Sequence, residues 1–337
     1  MKKHFFAASL LSILVLTIGA FSLNSNSALA DPNAQAAGLA SLLPPSQLVA
    51  TLDAKRFFNE AVPRILTAKP ELLAQFTSVL GEVQANTGID LRQFDTVAIG
   101  ANFSSKGAGS FDLDPVVLAR GQVNANAIIG AAKLGGGKYK QEQVGGRTLY
   151  IFTVTRKAKD DKAGTAKPRT MEVAATAFDA NTVAIGTPLR VRELIDAKAK
   201  VSPELTGLLM AKGPAVANFA AKMPANSGAL VPLDNDELSK AINSIRYVFG
   251  SMDVTAEAAV MDMSARTGQE AEARSLLETM QGLQMVGKAL LGSSKKPENA
   301  IFVRLIDGLK MSQTTTDVNL TLSIQQADIN TLVGMIK

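Results

Sequence analysis

Segments with a two-residue hydrophobic period alternate along this chain with segments of three-to-four-residue period, and the order strand–helix–strand–strand–helix–strand is written approximately twice. Strands joined by short turns pair antiparallel, and the helices between them must bury their apolar stripes on a sheet face. The clearest strand sets Val318, Leu320, Leu322 and Ile324 on one side and Asn319, Thr321 and Ser323 on the other. Val97, Ile99, Ala101 and Phe103 alternate in the same way, and a second strand is expected over residues 116–123. Gly145-Gly146 supplies the positive φ values of a two-residue turn between strands at 138–144 and 147–155, and 172–178 with 182–186 reads as another hairpin. Leu149-Tyr150-Ile151-Phe152 is apolar on both sides, so some strands must lie between two layers.

Helix starts are marked by cap residues. Asp53 precedes two helices, the second opening at Pro70 with a stripe of Leu72, Phe76, Val79 and Val83. Asn124 opens a helix through Leu134 that Gly135-Gly136-Gly137 ends; Thr187-Pro188, Ser202-Pro203 and Pro297 start others, and Asp328 caps the last. Asp234-x-x-Glu237 opens one helix, and Thr267-x-x-Glu270 has the spacing of a capping box before a long helix whose buried stripe is expected to be Leu276, Met280, Leu283 and Leu290, with Leu277 beside them. In both halves a strand runs through an Ala-Arg pair into a helix, at Ala119-Arg120 and Ala265-Arg266. The expected fold is α+β: two similar split β-α-β-β-α-β halves, residues 45–212 and 213–337, with mainly antiparallel sheets covered by helices.

Residues 1–30 begin with Lys2 and Lys3, continue as an apolar run from Phe5 to Phe21 and end in Ala28-Leu29-Ala30 before Asp31. This is the pattern of a secretory signal cleaved after Ala30, and residues 31–44 read as a flexible lead. No later segment approaches eighteen uninterrupted apolar residues, so no transmembrane segment is expected once the leader is removed. The product is expected in a periplasm or outside the cell. Of 35 basic residues the leader holds two, so 35 − 2 = 33 against 30 acidic residues leaves a charge of +3. That balance, without clustered aromatics, gives no nucleic-acid footprint. The one basic cluster, Arg156, Lys157, Lys159, Lys162, Lys167 and Arg169, is interleaved with Asp160 and Asp161 and reads as a solvated loop. It is the candidate interaction loop.

The runs LLPPSQLVATLDAKRFFNEAVPRIL, TGIDLRQFDTVAIG, VVLARGQVNANAIIGAAK, GGRTLYIF, SIRYVFGSMDVT and ADINTLV resemble a group of exported α+β proteins from environmental bacteria, over most of the chain after the leader. The resemblance implies the fold and the exported compartment, and it carries no activity or catalytic residue.

The sole histidine, His4, lies in the leader, and the chain has no cysteine. Ser-His-Asp and Cys-His catalysis, thiolate or imidazole metal sites and redox dithiols are therefore excluded from the mature chain. Gly135-Gly136-Gly137-Lys138 fails as a phosphate loop, because Ala132 and Tyr139 stand where Gly and Ser or Thr are needed. Ser293-x-x-Lys296 has an acyl-transfer spacing but no apolar enclosure to keep the lysine neutral. Acid groups at Asp112 with Asp114, and at Asp234, Asp236 and Glu237, are the remaining catalytic or calcium-binding candidates. Met261 and Met263 share one strand face, with Met252, Met280 and Met285 as further thioethers; a Cu(I) site there would need three to converge, and core packing is the expected role. No cofactor is expected. The expected function is that of an exported, non-catalytic binding or interaction module for a protein, an envelope component or an apolar small molecule. The alternative is a carboxylate- or lysine-dependent hydrolase.

Overall fold

A computed structural model describes residues 32–87, 89–105, 111–135, 138–156, 169–225, 227–230, 236–293 and 297–336. Among these residues twelve strands are found: β1 (Leu48–Asp53), β2 (Phe94–Ser105), β3 (Phe111–Gly121), β4 (Tyr139–Val144), β5 (Arg147–Arg156), β6 (Arg169–Ala177), β7 (Thr182–Gly186), β8 (Ala217–Lys222), β9 (Ile245–Val254), β10 (Ala258–Thr267), β11 (Lys310–Thr314) and β12 (Asp317–Gln325). They form one continuous antiparallel sheet in the order β11-β12-β10-β9-β8-β1-β2-β3-β7-β6-β5-β4. The two expected halves meet at β1 and β8, paired from Leu48 opposite Ala221 to Leu52 opposite Ala217. The boundary between them is thus a hydrogen-bonded ladder.

The register assigns every strand residue to one of two faces. On the front face lie Val49, Ala98, Leu118, Ala184, Ala220 and Phe249. Helices α1 (Pro32–Ala40), α6 (Pro188–Asp196) and α7 (Pro203–Leu209) cover them, burying Leu39, Leu43, Val191, Leu194, Leu205 and Leu209 in the central core. The lead expected to be flexible is instead structural, since Leu39 and Leu43 are both 0% exposed. Its Ala- and Gly-rich composition, which reads as a loose tail, gives a slim helix that lies close to the sheet, and each leucine so buried contributes about 1.5–3 kcal/mol.

The back face is covered by α2 (Ala54–Arg56), α3 (Val62–Ile65), α4 (Pro70–Thr87), α5 (Ala125–Gly135), α8 (Asp236–Asn243), α9 (Glu270–Gly292), α10 (Pro297–Gly308) and α11 (Gln326–Gly334). Ile129 of α5 packs on Phe152, Ala175 and Val183; Ala273 and Leu276 of α9 pack on Ala265 and Val318; Ile329 of α11 packs on Val254 and Ala259. The doubly apolar β5 is thereby explained, with Leu149 and Ile151 in the front core and Phe152 under α5. On β10 and β12 the front-facing residues are Asp262, Ser264, Arg266, Asn319, Thr321 and Ser323, which accounts for the sharp alternation there.

Several boundaries differ from the sequence expectation. A π turn at Phe57–Ala61 separates α2 from α3, because Pro63 lacks the N–H that would bond back to Asn59 and its ring crowds that carbonyl. The capping box is Gln269 with Glu272, two residues later than Thr267 with Glu270. Thr267 stays in the sheet, and its hydroxyl donates to the Thr316 and Gln269 carbonyls. Asp328 lies within the first turn of α11, where it accepts from Arg304, and the cap position belongs to Gln325. Strand β3 begins at Phe111, five residues early, and the short edge strand β11 carries too little apolar character to be read from sequence.

Candidate functional site

Ala28, Ala30 and Asp31 lie outside the described residues, as do Lys157, Lys159, Lys162 and Lys167. Arg156 ends β5 and Arg169 begins β6, directly opposite each other in register. Asp234 and Lys296 are likewise outside the described residues. The Ser293 hydroxyl donates to the Leu290 carbonyl at 2.9 Å, engaged with the end of α9.

The acid candidates do not assemble. Asp112 and Asp114 sit two residues apart within strand β3, and Asp114 accepts from the Thr187 hydroxyl at 2.5 Å, next to the cap of α6. Asp236 and Glu237 occupy the first turn of α8, where carboxylates complement the helix dipole. Among the described residues no group of three or more His, Cys, Asp or Glu side chains could hold a metal ion.

A polar cleft at the end of β1 was missed by the sequence reading. It has a volume of about 60 Å³ and is lined by Thr51, Asp53, Arg56, Thr96 and Asn218, with Ala36 of α1 above them. Asp53 caps α2 by accepting from the Arg56 N–H at 2.9 Å. Burial pushes its carboxyl above the ordinary value, against the pull of that hydrogen bond and of Arg56 and Lys55. The two cations are engaged elsewhere, Arg56 with Asp253 at 2.8 Å and Lys55 with Asp95 at 2.6 Å. Asn218 is 2% exposed, and its side-chain oxygen has no partner. Such a cleft is matched to a few ordered waters and falls far below the roughly 300–1,000 Å³ of sites for drug-sized molecules. Each of its residues looks ordinary in sequence; only the β1–β8 pairing brings Asn218 beside Thr51.

On the front of β9–β12 the charges are paired. Arg266 forms a two-point bond to Asp317 at 2.7 and 2.8 Å, which holds the guanidinium above its ordinary value. Lys212 meets Asp262 at 2.5 Å, and both Lys212 and Arg266 lie over the Phe249 ring, 5.7 and 5.3 Å from its centre. Tyr247 donates to Glu204 at 2.6 Å, and that bond keeps its hydroxyl protonated to higher pH. The acid and basic groups of this face therefore neutralise one another.

The unusual surface lies on α9. Leu283 and Leu290, expected in the buried stripe of this helix, are instead 43% and 68% exposed, because the sheet takes only its N-terminal part, and with Val286, 56% exposed, they sit at i, i+3, i+7 spacing beside the exposed Phe302 of α10. The adjoining side of α9 holds α10, through Gln284, whose amide donates to the Ile306 and Leu309 carbonyls at 2.6 and 3.0 Å. The apolar stripe is thus left over after α9 has packed on both the sheet and α10. No described helix is long and apolar enough to cross a membrane.

No family model matches the chain, and no curated protein matches it. Among solved structures it is similar to three crystal forms of TP0453. Form I has a TM-score of 0.41 at 9% identity, covering 89% of this chain and 97% of that one. Form III has 0.45 at 8%, covering 88% and 98%, and form IV has 0.44 at 7%, covering 88% and 95%.

Proposed function

We propose that this chain is an exported, non-catalytic binding module that docks a partner protein through the exposed apolar stripe of α9. The observation that carries the reading is the stripe itself: three large aliphatic side chains at i, i+3, i+7 spacing that stay exposed on a helix packed elsewhere on the sheet, through Ala273 and Leu276, and on α10. Pairing of the front-face acids with Arg266 and Lys212 supports a non-catalytic role, as does the small volume of the cleft beside Asp53. The leader pattern of residues 1–30 supports export.

A repeated unit as the origin of the two halves is part of this proposal. Its support is the sheet order, which runs outward from β1 through β2, β3 and β7 and from β8 through β9, β10 and β12. Arg120 of β3 reaches Thr182 and Asp179 at the start of the neighbouring strand, as Arg266 of β10 reaches Asp317.

A photo-crosslinker at Val286, in protein expressed in its own host, tests the docking surface. A discrete adduct is expected, lost in L283K/L290K and kept when residues 157–168 are deleted. No adduct, or an adduct that survives L283K/L290K, overturns the reading. Intact mass of the exported protein tests the compartment, with Asp31 expected as the first residue.

A further inference from the structure

We propose that Met252, Met261 and Met263 form a thioether site for Cu(I) on the back face of β9 and β10. Met252 and Met261 stand directly opposite each other in the β9–β10 pair. Side chains so placed have Cβ atoms about 4.5–5.5 Å apart. Met263 lies two residues further along the same face, about 7 Å away along the strand. Opposite Met263 is Gly250, and the space above the glycine is taken by Met263 itself and the Phe219 ring. A Cβ built on Gly250 would stand 3.0 Å from both Met263 Cγ and Phe219 Cε1, so the methionine leans across the glycine toward the β8 ring.

All three methionines are half-buried, outside the sealed cores beneath α9 and α11. Methionine has three rotatable side-chain bonds, so sulfurs from adjacent positions on two paired strands can converge on one ion. The flanking acids cannot join the donor set. Asp253 and Asp262 alternate to the front face, where Arg56 and Lys212 hold them. What remains is a neutral, soft, sulfur-only site, a donor set that selects Cu(I) over Zn(II) or Cu(II). This departs from the expectation that the methionines only fill the core. Met280 belongs to the packed cluster under α9, and Met285 is 69% exposed on the outer side of that helix.

The test is anaerobic titration of the mature protein with Cu(I), repeated with Ag(I) as a redox-silent substitute. Stoichiometry is read by native mass spectrometry and the ligands by methyl NMR of labelled methionine. One equivalent is expected, with shifts confined to three methyl groups. M261L and M263L should each weaken binding by about tenfold or more, since leucine keeps the volume and removes the sulfur. M285L should bind as the parent does. Failure to retain an equivalent, shifts spread over other methionines, or equal weakening by M285L would overturn the proposal.

Discussion

Arg190 tests what a buried cation does in this fold. It is 1% exposed on α6, donates to the Ser46 hydroxyl at 2.7 Å and pairs with Glu193 one turn on. Glu193 is 41% exposed, so it can be hydrated without its partner. Ser46 also keeps its own bond to the Pro44 carbonyl at 2.8 Å. Neither partner is stranded by loss of the guanidinium, which still carries the cost of its removal from water. Arg190→Met fills most of the same space without the charge and should change stability by no more than about 1 kcal/mol in either direction. Arg190→Ala empties a fully buried site between α6 and the connection before β1, and should cost about 3 kcal/mol, as large-to-small changes in cores do. In urea, with a slope of about 3 kcal/mol per molar for a chain of this size, the midpoint should fall by roughly 1 M for Arg190→Ala and by less than about 0.3 M for Arg190→Met. Equal losses in the two variants would refute the reasoning, because they would assign the stability to the ionic contacts and not to the filled volume.

Leu39→Ala should cost about 3 kcal/mol and lower the melting temperature by roughly 4–6 °C, measured by calorimetry; an unchanged melting point would mean that α1 does not hold the front core. Gly121→Ala should unfold or severely destabilise the protein. A Cβ there would stand 2.2 Å from the Gln93 carbonyl oxygen and 2.5 Å from Phe94 Cα, backbone atoms that cannot swing aside. Soluble, wild-type-like expression of that variant would contradict it. For Asp53, a folded-state pKa raised by burial means that the folded state favours the protonated carboxyl. Its contribution is therefore fully favourable at pH below the unfolded value and falls as pH rises through the folded one. Asp53→Asn keeps the cap and should be at least as stable as the parent at pH 7, with the advantage vanishing below the ordinary carboxylate range. Asp53→Ala should lose about 1 kcal/mol through the cap. Denaturation across pH separates these outcomes, and an Asp53→Asn variant less stable than the parent at pH 7 would reverse the sign assigned to the carboxyl.

The sequence by itself determined the parts whose signal is local. Capping at Asp53, Asn124, Thr187 and Ser202, the Gly145-Gly146 turn with φ of 52° and 77°, and the alternation of β12 each follow from one residue's backbone preference or from a period within one segment. Absence of cysteine and of histidine beyond His4 is equally local, and it removed whole classes of chemistry before any fold was known. Tertiary structure alone decided what depends on partners distant in sequence. Leu39 and Leu43 turned a small-residue lead into part of the core only because the front face offered Val49 and Leu118 to bury against. The short β11, Lys-Met-Ser-Gln-Thr, is a strand because β12 supplies its hydrogen bonds, whatever its own propensity. The same holds for the sites: pairing of β1 with β8 builds the polar cleft, and pairing of β9 with β10 sets Met252 against Met261. A hydrophobic period records which side of a segment is buried; it carries no information on which strand lies alongside, and that choice is made by packing across the whole sheet.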